Sequence, residues 1–168
     1  MKLSHYFDDL FSSYNAEIDD LTFDSGGADV LARRLKDKRS QLVELMPMAE
    51  SYPVMVAPAF RGAFSFEISE VLDQIVAGAP GALPAWATVA ATLVVEPWAE
   101  GLVKKALSCP GGEEFLVTAA GLEYIWSRPE VHAAVDNDTD AADDDDDTED
   151  LGDAGEDWLG DQGFDRRS

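Results

Sequence analysis

The sequence predicts an all-α fold: a compact bundle of about five to seven short helices, followed by a disordered acidic tail. Three observations carry this. Apolar residues recur at steps of three and four through most of the first 130 positions. Proline and glycine clusters cut that pattern into short pieces. The composition then breaks near Val135, after which carboxylates dominate. The break divides the 168 residues into a helical domain, 1–133, and a tail, 134–168.

In chain order, Leu3, Tyr6, Phe7, Leu10, Phe11 and Tyr14 form an apolar stripe for one short helix, with Asp8 and Asp9 on the opposite side. Such a stripe serves the core or a groove on a partner, and the core is the commoner use. Ile18–Phe23 reads equally as strand or helix before Ser25-Gly26-Gly27 breaks the chain. A longer helix is expected over Asp29–Met46, with Ala28, Leu31, Leu35, Leu42 and Leu45 inward and Lys38 in the seam. Pro47, Pro53 and Pro58 make the segment up to Ala63 an irregular connection that is nonetheless apolar enough to be buried. A helix over Phe64–Ala77 follows, with Ser65 as its N-cap and Gly78 and Pro80 as its stop.

Pro84 fits the first turn of a helix to about Val95. Because that stretch is apolar nearly all round, it is expected to be the central buried helix, although Val94-Val95 also suits a strand. Pro97 opens a helix carrying Trp98, Leu102, Val103, Ala106 and Leu107. After the loop Cys109–Gly112, Glu113 and Glu114 favour the positive end of a last helix, with Phe115, Ala119, Leu122 and Trp126 inward.

Charge is unevenly distributed. Residues 1–133 carry a net −9 and residues 134–168 a net −13, so a fifth of the chain supplies more than half of the −22. Asp136–Asp165 holds fifteen acidic residues and no basic one, including the run Asp143, Asp144, Asp145, Asp146 and Asp147. Such a segment has too little apolar surface to offset the entropy of ordering its backbone. Its islands Leu151, Trp158-Leu159 and Phe164 suit an arm that folds onto a basic, apolar groove of a partner. The plainer alternative is a solubilising tail. Arg33, Arg34, Lys36, Lys38 and Arg39 put five of the twelve basic residues within seven positions. They form either a solvated helix face or a patch that docks acidic segments, including the chain's own tail.

The acidity argues against direct nucleic-acid or anionic-membrane binding and favours basic protein partners. The longest apolar run, Ala82–Val95, is fourteen residues and contains Pro84, whereas a spanning helix needs roughly 20. The start of the chain meets Asp8 and Asp9 too soon for a signal peptide, and a single cysteine suits a reducing cytoplasm. No cofactor and no metal are expected. Asp136, Asp138 and Asp140 match the first positions of a calcium loop, but Ala141 replaces the turn glycine and Asp147 the closing glutamate. Cys109 precedes a helix start, yet His5 and His132 lie at opposite ends of the chain and no catalytic motif surrounds any of them. Gly26-Gly27 and Gly111-Gly112 lack the companions of a phosphate loop. The chain is therefore not expected to be an enzyme.

The layout, a helical part from Leu3 to Trp126 followed by the acidic Asp136–Asp165, resembles the tail assembly chaperones of long-tailed bacteriophages. That resemblance implies a helical, non-enzymatic protein in the host cytoplasm that keeps tail components competent for assembly, and self-association is compatible with it. The alternative is an acidic inhibitor or nucleic-acid mimic directed at a basic DNA-binding protein.

Overall fold

The computed structural model describes residues 2–23, 28–67 and 70–128. The chain divides into Met1–Val131 and His132–Ser168, against an expected boundary after Ala133, and the second unit lies outside the described residues. The fold of the first is all-α, with eight α-helices among the described residues where about five to seven were expected. The surplus arises because prolines and turns divide the expected helices rather than merely end them.

Helix α1 (His5–Thr22) begins where the Ser4 hydroxyl accepts the Phe7 N–H at 3.2 Å, and it absorbs the ambiguous Ile18 stretch. Its stripe serves the core: Phe7, Phe11 and Tyr14 have no solvent exposure. Helix α2 (Ala28–Ser40) stops earlier than expected. Leu42–Leu45 is a separate turn of helix, α3, and Met46–Met48 a 3-10 turn. The proline-rich connection becomes a second short helix, α4 (Pro53–Val56), and a 3-10 turn, Ala57–Phe60, whose residues are all buried.

Two expected helices are corrected. Phe64–Phe66 is a strand, β1, so α5 runs only over Glu70–Ala77, and Ser65 is a mid-strand residue rather than an N-cap. The helix expected over Pro84–Val95 reduces to α6 (Trp86–Ala90). Thr92 then turns the chain, donating both its N–H and its hydroxyl to the Val89 carbonyl. The β-branched pair that follows extends as β2 (Leu93–Val95), antiparallel to β1 with Phe64 opposite Val95, Ser65 opposite Val94 and Phe66 opposite Leu93.

After the 3-10 turn Pro97–Ala99, helix α7 (Glu100–Leu107) leads into α8 (Gly112–Trp126). The centre of the fold is α8, not the Pro84–Val95 stretch. Every residue from Phe115 to Ile125 is buried, so α8 has no solvated face beyond its first turn. Helices α1, α5, α6 and α7, the 57–60 turn and β1 sheathe it. No helix among the described residues is long and apolar enough to cross a membrane.

Gly121 sets how closely α1 approaches α8. A Cβ there would lie 2.7 Å from the Phe7 ring, which is fully buried and hemmed in. Gly121→Ala should therefore destabilise the domain by about 1–3 kcal/mol, as overpacked cores do. Chemical denaturation should show a lower midpoint without a changed slope.

Candidate functional site

Of the sequence-derived binding residues, Asp143, Asp144, Asp145, Asp146, Asp147, Trp158, Leu159 and Phe164 lie outside the described residues, as do His132 and the calcium-like Asp136, Asp138 and Asp140. The basic run on α2 is described, and it does not form one outward-facing patch. Arg34 Nη1 donates to the carbonyls of Asp20 and Leu21 at 3.0 and 3.2 Å, tying α2 to the end of α1. Lys38, in the seam as expected, bonds the Met55 carbonyl at 2.8 Å and pairs with Glu17 at 3.2 Å. Arg39 donates from Nε to the Ala59 carbonyl and from Nη2 to the Arg61 carbonyl, and its guanidinium stacks 4.1 Å from the centre of the Trp98 ring. Arg33 and Lys36 are left as its exposed members.

The densest polar cluster is one the sequence did not reveal. Glu123 sits on the buried length of α8, and its carboxylate gathers three donors. Tyr14 Oη donates to Oε1, Arg61 Nη1 reaches the same oxygen at 3.4 Å, and the Gly62 N–H donates to Oε2 at 3.1 Å. Arg61 also lies 3.6 Å from the centre of the Trp126 ring, while the Trp126 ring meets those of Phe11 and Tyr14 edge-on. Burial, reinforced by the adjacent Glu123 carboxylate, pushes the Tyr14 phenol well above its ordinary range. Burial lowers the Arg39 guanidinium, with Glu123 opposing the shift. The cluster joins α1, the Arg61-Gly62 turn and α8, which are far apart in sequence, so its spacing carries no motif. A lone glutamate in an apolar helix was the one available signal.

A second polar group lies at the C-terminal end of α8. Tyr124 Oη donates to Asp73 at 2.6 Å and accepts from Arg128 Nη2 at 2.9 Å, while Ser65 Oγ donates to Glu96 at 2.8 Å. Between β1 and Tyr124, Ser127 and Arg128 lies a groove of about 400 Å³. A further concavity of about 580 Å³ runs between Pro80–Ala85 and the turn Cys109–Glu114. In it the Cys109 thiol donates back to the Lys105 carbonyl at 3.3 Å. No group of metal-ligating side chains is found among the described residues.

Comparison with known proteins returns no matching family model, no matching curated protein and no matching solved structure.

The Glu123 cluster is built to hold the fold. Tyr14→Phe should cost about 1–3 kcal/mol by removing a buried bond to a charged acceptor. Glu123→Ala should cost more than that, because the buried Tyr14 hydroxyl loses its acceptor and the part-buried Arg61 its counter-charge. A raised phenol contributes stability below its unfolded value of about 10, and that stability is lost as pH rises through the folded value. Thermal melts from pH 8 to 11 should therefore fall more steeply for the native chain than for Tyr14→Phe.

Proposed function

We propose that this is a non-enzymatic binding protein whose acidic arm holds a basic or aggregation-prone protein partner. The setting its layout suggests is bacteriophage tail assembly. The observation that carries the reading is the charge partition, with net −13 and the apolar islands Trp158, Leu159 and Phe164 in residues 134–168. The domain supports it by the way it uses its cations. Arg34, Lys38, Arg39, Arg61 and Arg128 all bond to groups within residues 14–124. Five of the ten basic residues before position 134 are thus already engaged, which favours an arm whose carboxylates find counter-charge on another molecule.

Long-range attraction would raise the encounter rate, and buried aromatic anchors would lengthen the life of the complex. The two contributions separate by experiment. With a basic partner captured from the native setting, replacing Asp143–Asp147 by asparagine should slow association and flatten its salt dependence. Replacing Trp158 and Phe164 by alanine should speed dissociation, by on the order of 2 kcal/mol where the rings are buried. Partner binding that survives deletion of everything after Ala133 would reduce the arm to a solubiliser. Capture of a DNA-binding protein that nucleic acid displaces would favour the mimic instead.

A further inference from the structure

We propose that the outer edge of β1 is a second binding site, which takes an extended segment of a basic partner as a third, antiparallel strand. The inference rests on the reading that the partner is basic or aggregation-prone, and it locates a site on the helical domain. The ladder between β1 and β2 determines which backbone groups are available. Glu96 N–H bonds the Ala63 carbonyl at 2.8 Å and Glu67 N–H the Thr92 carbonyl at 3.1 Å, so residues 63, 65 and 67 face β2. The N–H and C=O groups of Phe64 and Phe66 consequently point the other way, and no backbone or side-chain hydrogen bond holds them among the described residues. They open onto the groove of about 400 Å³ bounded by Tyr124, Ser127 and Arg128. A row of unpaired strand groups beside a groove is the template that strand addition requires.

The side chains around the edge define the occupant. An added strand in antiparallel register places alternate residues on the face of Phe64 and Phe66, and a β-branched residue such as valine suits a position paired with an aromatic one. The intervening residues lie on the face of Ser65 and Glu67. Glu67 is exposed there, and Glu96 accepts from Ser65 at 2.8 Å, while Arg128, the cation lining the groove among the described residues, is itself bonded to Tyr124. The matching segment alternates small apolar residues with lysine or arginine.

The test uses the full chain and a capped synthetic peptide, Lys-Val repeated four times, followed by calorimetry and by residue-resolved hydrogen exchange. At saturation the amides of Phe64 and Phe66 should exchange about tenfold more slowly, while Ser65, already bonded to β2, should not change. In antiparallel register the valine amides face β1. N-methylating the valines should weaken binding by about tenfold or more, whereas N-methylating the lysines should be tolerated. Glu67→Lys, whose backbone bond to Thr92 is unaffected by the side chain, should weaken binding by up to about fivefold.

Unchanged exchange at Phe64 and Phe66 with peptide bound overturns the edge site and leaves the arm as the binding element, as does equal affinity for the two methylated peptides. Repeating the titration with Asp143–Asp147 replaced by asparagine separates the readings. Retained binding and retained protection of Phe64 and Phe66 support the edge without the arm. Protection that vanishes with the aspartates overturns it.

Discussion

The fold depends on burying one helix on every side. Between Phe115 and Ile125, α8 presents no residue to solvent, so each turn must meet a neighbour. A surface helix needs one apolar stripe, but an axial helix needs a sheath, and here the sheath is assembled from short pieces. That explains why so many brief helices and 3-10 turns are tolerated. Helices shorter than about 12 residues are marginal alone and gain their stability from packing. Each apolar side chain laid on α8 contributes roughly 1.5–3 kcal/mol, whereas helix propensity separates ordinary residues by at most about 0.7 kcal/mol per position. Gly121 belongs to the same constraint, since α1 reaches the axis at a position with no Cβ.

Within that apolar axis the single charge, Glu123, is satisfied by groups from two other elements. A carboxylate placed there without them would cost several kcal/mol, so the cluster specifies how α1, the Arg61-Gly62 turn and α8 meet. A register error in any of the three strands a buried charge. Apolar packing alone would tolerate small slips far better. The cations on α2 work alongside it. Arg34, Lys38 and Arg39 satisfy carbonyls at Asp20, Leu21, Met55, Ala59 and Arg61, several of them at the ends of short helices where carbonyls lack helical partners. What reads in the sequence as a binding patch is in large part the fastening of an irregular connection.

This shows where sequence reasoning succeeds and where it stops. Long amphipathic stripes, as in α1, and proline or glycine stops, as at Gly78 and Pro97, are legible because their signal is local. The Phe64–Phe66 strand is not, and Leu93–Val95 is legible only as the alternative that Val94-Val95 offers, because each strand is three residues long and exists only through the other, about thirty positions away. Pro84–Val95 is not the central helix because it is buried on one side only: Trp86, Val89, Thr92 and Leu93 are inward, while Ala87, Thr88, Ala91 and Val94 are exposed. The Glu123 cluster was invisible for the same reason as the strand pairing, being drawn from positions 14, 61, 62 and 123. Lys38 stands in the seam of α2, and its pairing with Glu17 at 3.2 Å accommodates its charge there.

The two-stranded ribbon is the least self-sufficient part of the fold, and that has a physical consequence. Two strands of three residues have two open edges, which larger sheets keep few or cover. Here the strands are short and carry Ser65 and Glu67 outward, which limits uncontrolled pairing, and the chain's net −22 adds like-charge repulsion between copies. Those protections act against a second copy of this protein and against other acidic chains. They do not act against a basic strand, for which the same charges are attractive. An edge that presents exposed carboxylates beside an arginine, Arg128, already bonded to Tyr124 therefore repels acidic strands more than basic ones.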